Sequence, residues 1–332
     1  MEIKRVDPFD DEALAAWHAA DTAGFAAGRE DPPVWTPAER RAALRDDDPD
    51  RGYGQEPFAA FADGEIIGAG LLVYPRKDNP ALAEVEVNVP PQHRRNGVGS
   101  AVFDALAARA ARLGRTSLTA MVNQPIGAPE VPGVGFAANR GFTRRNVMMH
   151  RVLDLPVPAA ALDELDAQTH PHVDDYRVES WQGPCPEPYA EQYVHLRSLI
   201  LTEAPTGDIE VEPEVWDVAR LRAEEAVLAK QDRLFVTSVA VAPDGSLAGH
   251  TQIVVPQDES GKSFQWDTLV LARHRGHRLG MALKVANLRI VCERFPDRRK
   301  NLTWNAEQNG PMNAVNEKLG FRAVERAEEW QR

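Results

Sequence analysis

One series of landmarks occurs twice along this 332-residue chain, at a fixed spacing. Asp63-Gly64 recurs as Asp244-Gly245, Gly68 as Gly249, Glu86 as Asp267, His93-Arg94 as His274-Arg275 and Gly99 as Gly280, each pair 181 residues apart. The doublets Gly141-Phe142 and Gly320-Phe321 lie 179 apart, so the register carries to the end of each copy with a two-residue shift. Chance does not keep that order, and the chain therefore reads as two copies of one unit. The length agrees, at roughly 150 residues per domain.

Both copies open their sheets alike. Phe58–Phe61 and Ile66–Tyr74 flank Asp63-Gly64, and Leu234–Val241 and Leu247–Val255 flank Asp244-Gly245. An Asp-Gly pair between two apolar runs predicts a β-hairpin. Third strands are expected at Ala83–Val89 and Phe264–Leu271, each followed by an arginine-rich loop that opens a helix. Val102, Leu106 and Leu113 share one face of the first helix; Leu283, Asn287 with Leu288, and Val291 share one face of the second. Short strands follow at Ser117–Val122 and Asn301–Trp304. Amphipathic stretches ahead of the hairpins, near Glu12–Ala27, Pro37–Asp46, Tyr189–Thr202 and Pro213–Lys230, predict helices. The expected organisation is an N-terminal domain over 1–153, a linker rich in Pro, Ala and acidic residues over 154–175, and a C-terminal domain over 176–332.

Composition removes several function classes. Asp and Glu number 50 against 38 Lys and Arg, a formal charge of −12 that repels a phosphate backbone, so no nucleic-acid partner is expected. Cys185 and Cys292 are far apart, with no CxxC pair and no histidine cluster at ligand spacing, so neither a disulfide framework nor a metal site is expected. The acidic amino terminus and the lack of any apolar run of about 18 residues give no membrane association and a cytoplasmic location as expectations.

The loop Gln92-His93-Arg94-Arg95-Asn96-Gly97-Val98-Gly99-Ser100 lies between a strand and a helix start. Backbone N–H groups there are unpaired within the helix and reinforced by its dipole, which makes a cradle for a pyrophosphate; glycine permits close approach and arginine adds charge. A glycine-rich turn alone is common punctuation. Its recurrence as His274-Arg275-Gly276-His277-Arg278-Leu279-Gly280 gives it weight.

Strand, Arg94-x-x-Gly97-x-Gly99, helix, strand, helix and Gly-Phe resembles the acyl-CoA-binding signature of the GCN5-related N-acetyltransferases, and the resemblance covers both halves. It implies an α+β fold of two domains, each a mixed, mostly antiparallel sheet flanked by helices. It also implies acetyl-CoA as cofactor, a pyrophosphate held on the loop, a pantetheine arm admitted between diverging strands, and direct attack of an amine on the thioester. The residues this assigns to CoA are Val89, Arg94, Arg95, Asn96, Gly97, Val98, Gly99 and Ser100 in the first half. In the second they are Val270, Arg275, Gly276, His277, Arg278, Leu279, Gly280 and Met281, with Asn305, Asn309, Met312 and Asn316. Arg278 stands where the family has its first loop glycine.

The later family pattern of Asn, an Ala-like residue, Tyr and Gly-Phe separates the halves. The second half reads Asn309, Met312, Asn316, Gly320-Phe321, while the first has Glu130 at the asparagine position and Ala137 at the tyrosine position. In the family that tyrosine protonates the departing thiolate, and neither asparagine nor alanine does so.

An alkylammonium with a pKa of about 10.4 must lose its proton before attack. Glu86 and Asp267 stand eight residues before the loop arginines, on the strand that in relatives carries an acid facing the amine. Alternation of Glu84 with Glu86 equally fits the wet side of a strand. Asp267, between Trp266 and Thr268 in an apolar strand, is the expected proton acceptor, with His250 in reserve. The expected function is acetyl-CoA-dependent N-acetylation of a primary amine, a small cationic molecule, with catalysis in the C-terminal half. Glu203, Asp208 and Glu210 are placed near that site's entrance by the resemblance. Two other readings stand beside it: an acyl-CoA-binding module with one or both halves inactive, and transfer to a protein amino group.

Overall fold

A computed structural model describes residues 1–173 and 175–332. The chain forms two compact units, and neither is a contiguous half. The first comprises Met1–Asn146, Asp208–Glu212 and Ala327–Arg332; the second comprises Val147–Gly207 and Pro213–Arg326.

In chain order the first unit contains β1 (Glu2–Arg5), α1 (Asp11–Phe25), α2 (Pro37–Arg45), β2 (Tyr53–Ala62), β3 (Glu65–Pro75), β4 (Leu82–Asn88), α3 (Val98–Arg112), β5 (Ser117–Pro125) and α4 (Pro132–Asn139). It also takes the start of β6 (Thr143–Asp154) and the end of β12 (Arg322–Gln331). Its sheet runs β1-β2-β3-β4-β5-β12-β6. The predicted hairpin is β2/β3, with Asp63 at φ 51° and Gly64 at φ 87°, the left-handed pair that a twisted two-residue turn needs. On one face Val102, Phe103 and Leu106 of α3 pack on Phe58, Leu72, Val85 and Leu118. On the other, Leu14, Trp17 and Ala20 of α1 pack on Ala59, Ala69 and Leu71, and Trp17 Nε1 donates to the Phe58 carbonyl at 2.8 Å.

The second unit holds the rest of β6, then α5 (Ala159–Thr169), β7 (Arg177–Gln182), α6 (Ala190–Ser198), α7 (Ile200–Glu203), α8 (Val218–Lys230), β8 (Arg233–Val241), β9 (Leu247–Pro256), β10 (Lys262–Val270), α9 (Leu279–Arg294), β11 (Lys300–Ala306), α10 (Gly310–Leu319) and the start of β12. Its sheet runs β12-β6-β11-β10-β9-β8-β7. Most pairings are antiparallel, and β10 with β11 is parallel, as is β4 with β5 in the first unit. The mixed α+β architecture expected from the sequence is therefore present in each unit.

The stretch 154–175, expected as a linker, is largely structured; residue 174 lies outside the described residues. Its central part is α5, whose Leu162 is buried in a core with Val285, Leu288 and Val291 of α9. No helix among the described residues is long and apolar enough to cross a membrane.

Candidate active sites

The two loops share a backbone that their sequences hide. Arg95 (φ 65°) and Gly97 (φ 78°) take left-handed conformations in the first, and Gly276 (φ 93°) and Arg278 (φ 52°) do so at the repeat-equivalent places in the second. Glycine and arginine have exchanged positions while the path is kept. Arg278 does adopt the conformation that the missing glycine would favour, at a cost of roughly 1–2 kcal/mol for a residue with a Cβ. Its guanidinium donates to the Gln168 carbonyl at 2.8 Å.

Each loop delivers a long helix whose N-terminus no side chain caps, so the first N–H groups of α3 and α9 remain available to an anion. A Cβ built on Gly97 or Gly276 meets nothing within 4 Å, and the space a phosphate group would need lies open. Val98 and Leu279 are buried and anchor the first helical turns, and Met281 is buried in the core instead of facing the loop. Arg94 and Arg275 have a structural task the sequence did not reveal. Arg94 donates to the Val89 carbonyl at 2.8 Å and to Gly24 at 3.1 Å; Arg275 donates to the Val270 carbonyl at 3.2 Å and to Glu203 at 2.6 Å. Each ties the loop to the end of its preceding strand, leaving Arg95 and Asn96 in one loop and His277 in the other exposed.

The strands ahead of the loops part from their parallel neighbours. β4 and β5 pair only at Leu82–Ser117, Ala83–Leu118 and Glu84–Thr119; β10 and β11 pair only at Lys262–Lys300, Ser263–Asn301 and Phe264–Leu302. Beyond those rungs each pair opens a slot leading toward the loop. Both units thus offer a place for a pyrophosphate at the helix start and for the arm of CoA in the slot.

The acids beside the two slots differ. In the first unit Glu84 and Glu86 are half-buried on one side of β4. Burial, opposed by the Arg40 guanidinium and reinforced by Glu84 and Asp21, pushes the Glu86 carboxyl up to about 8. Burial and then the Glu329 charge raise Glu84, and burial raises Glu329 despite the 2.6 Å hydrogen bond it accepts from Asn146. Asp21, on α1, accepts from Asn88 at 2.7 Å and lies 3.8 Å from Arg40. Asp21, Glu86, Glu84 and Glu329, drawn from α1, β4 and β12, thus form a row of neighbouring carboxyl groups with Arg40 at one end.

In the second unit a one-residue bulge in β10 between Gln265 and Thr268 re-aims Asp267. Its carboxylate lies 3.4 Å from Nε of Arg197, whose guanidinium stacks on Trp216 at 4.2 Å. Asp267 is therefore neutralised by a near-buried cation. His250 is fully buried, and neither ring nitrogen has a hydrogen-bond partner. Burial and the Arg197 charge pull it down to about 3, which makes it a poor proton acceptor. Glu203 is taken by Arg275. Asp208 and Glu210 belong to the first unit, where their backbone N–H groups donate to the Arg145 carbonyl and to Gln331.

The sequence model of the acetyltransferase (GNAT) family matches residues 13–131, the span from α1 through β5 that carries the first loop. Among solved structures, a tandem GNAT protein from the clavulanic acid biosynthesis pathway is 26% identical, with a TM-score of 0.80 over 100% of this chain and 98% of that one. Residues 13–131 belong to the GNAT family, and the whole chain shares the fold of a tandem GNAT protein. A GCN5-related N-acetyltransferase from Sphaerobacter thermophilus shares the fold at 14% identity and TM-score 0.64, covering 100% and 95% of the two chains. A glucosamine N-acetyltransferase region of a fungal multi-domain β-N-acetylglucosaminidase does so at 13% identity and TM-score 0.68, covering 100% of this chain and 38% of that one. No curated protein matches the chain significantly in sequence.

At the late positions of the second unit the amides are engaged in hydrogen bonds within the chain. Asn309 caps α10, its side chain accepting from the Met312 N–H at 3.3 Å, so its carbonyl oxygen is engaged within its own helix. Asn316, at the tyrosine position, is fully buried and donates to Asn305 on β11. In the first unit Glu130 is exposed and Ala137 buried. Sequence reading missed Asp21, Arg40 and Glu329, whose partners are remote in the chain, and Arg197. It also missed Lys284, which carries a signal: with Met281, Leu288 and Val291 it falls on the apolar stripe of α9.

Proposed function

We propose that the protein is an acetyl-CoA-dependent N-acetyltransferase for small cationic primary amines, with CoA bound on both loops and proton acceptance by Glu86 in the N-terminal unit. The observation that carries this reading is the convergence of Asp21, Glu84, Glu86 and Glu329 beside the slot between β4 and β5. Acetyl-CoA supplies an acetyl group activated as a thioester. The residues do the remainder. The acidic cluster draws in an ammonium group, and Glu86 takes its proton. Moving a proton from an amine near 10.4 to an ordinary Glu near 4.3 is uphill by ~8 kcal/mol, and to a group near 8 by ~3 kcal/mol. Raising the acceptor thus removes most of that gap, while the neighbouring carboxyl groups hold the cation before transfer.

The C-terminal unit is assigned CoA binding without amine acetylation, because Asp267 is paired with Arg197 and His250 is sealed in the core. The test is steady-state kinetics over a panel of cationic amines at saturating acetyl-CoA. Glu86→Gln is expected to lose about 10²-fold or more in kcat, with Asp267→Asn within a few-fold of wild type. The opposite order would overturn the assignment.

A further inference from the structure

Lys284 is 1% exposed, among the largest fully buried side chains, and no carboxylate among the described residues is paired with it. Burial pulls its amine down to about 7. Its Nζ donates to Asn316 Oδ1 at 2.9 Å and lies 5.6 Å from the centre of the Phe321 ring. Because Asn316 uses its oxygen to accept from the lysine, its nitrogen must donate, and it does so to Asn305 Oδ1. The last member of the chain, the Asn305 side-chain nitrogen, is then a donor. Asn305 is half-buried and stands three residues past Leu302, on the part of β11 that β10 has left unpaired.

The fold does not need this lysine. At the repeat-equivalent place the first unit has Phe103, which meets Phe136 and Phe142 edge-on at 6.1 and 5.9 Å, and Ala137 stands in place of Asn316. One architecture thus accepts an apolar plug at this spot, yet the second unit keeps a cation and two amides there, at a desolvation cost the first avoids.

We propose that Lys284 is a positioning residue that holds Asn316 and Asn305 in one orientation, so that the slot of the second unit presents an amide N–H to a carbonyl of the pantetheine arm or the acyl thioester. This rests on the reading that the second loop binds CoA. It supplies an account of why the tyrosine position holds an asparagine: a fixed donor replaces a proton source, which suits binding without turnover.

The experiment is calorimetric titration of the full chain carrying Gly99→Asp, which blocks the first loop, with CoA and separately with 3′-phospho-ADP, the portion of CoA that lacks the arm. Lys284→Met in that background is expected to weaken CoA at least tenfold and to leave 3′-phospho-ADP unchanged. Its melting temperature is expected to equal or exceed that of the parent, because the desolvation cost of a buried amine with no carboxylate beside it outweighs its single hydrogen bond to Asn316. Lys284→Gln, which keeps a donor toward Asn316, is expected within about threefold of the parent. Equal loss for both ligands, or a fall in melting temperature accompanying the loss, would make Lys284 a structural residue and overturn the inference. Unchanged CoA affinity in Lys284→Met would overturn it while leaving the second site intact. No CoA binding at all by the Gly99→Asp chain would overturn both the inference and the reading beneath it.

Discussion

Replacing Gly99 or Gly280 with aspartate separates the two CoA sites without disturbing the fold. Both glycines lie in the first turn of their helices, neither has positive φ, and a Cβ on them meets nothing closer than 3.6 Å and 4.0 Å respectively. An acid there favours the helix through its dipole by ~0.3–1 kcal/mol, and losing glycine's freedom in the unfolded chain adds ~0.4–1 kcal/mol. Melting temperature is therefore expected to hold or rise. Binding responds in the opposite direction. A carboxylate within about 5 Å of a pyrophosphate, at an effective dielectric of about 30, costs ~2 kcal/mol per phosphate charge, so two charges weaken CoA by roughly 10²- to 10³-fold. Wild type is expected to bind two CoA by calorimetry and each variant one. Amine acetylation is expected to be lost with Gly99→Asp. A stable Gly99→Asp protein that still binds two CoA with wild-type affinity would refute the argument that uncapped helix N-termini hold the cofactor. Activity lost with Gly280→Asp alone would refute the placement of transfer in the first unit.

Other expectations follow from the titrating groups and from net charge. With Glu86 raised to about 8, the fraction able to accept a proton grows about tenfold between pH 7 and pH 9, so the ratio of wild-type to Glu86→Gln kcat/KM is expected to climb by that factor and then level off; a flat ratio would remove Glu86 as the acceptor. The same raised value means that the folded state holds this proton more tightly than the unfolded state does, so its stabilising contribution is complete below about 4.5 and is lost as pH rises through 8. Thermal melting should show a fall from pH 7 to 9 that Glu86→Gln reduces. His250 has the opposite linkage: lowered to about 3, it opposes folding as pH falls below 6.5, by ~2 kcal/mol at pH 5. His250→Leu, which also removes two unpartnered buried nitrogens, should melt higher than wild type at pH 5, and equal melting there would show that the ring is solvated or paired. With a net charge of −12, kcat/KM for cationic amines should fall as salt rises from 20 to 300 mM, and anionic acceptors should be poor.

Local patterns were legible and remote partnerships were not. The Asp63-Gly64 and Asp244-Gly245 hairpins, the strands before each loop and the apolar faces of α3 and α9 follow from turn chemistry and period, which act over a few residues. Strands β6 and β12 escaped notice because their many charged residues mask alternation; only the folded chain shows Arg144 meeting Glu328 at 2.9 Å and His150 meeting Glu325 at 3.1 Å. Glu86 was indistinguishable from a solvent-facing strand acid for the same reason: Asp21 and Glu329 lie far from it in sequence. Asp267 looked isolated in an apolar strand, while its cation waited on α6. The loop backbone was half legible, since exchanging glycine with arginine preserves a path that a residue pattern records as a defect.

The closing strand of the first unit follows the whole of the second unit in chain order. Leu118 and Arg332 exchange backbone hydrogen bonds of 2.9 and 3.0 Å, and Gln331 donates to Ser117 at 3.0 Å. During synthesis the earlier unit must therefore wait, its sheet unfinished and its acidic cluster short of Glu329, until residues 327–332 have left the ribosome. Truncation after Arg326 would take the strand that carries Glu329 from the first unit while leaving every residue of the second in place. Cutting the chain at the repeat boundary would part each unit from a strand it uses, so the two copies are inherited as one.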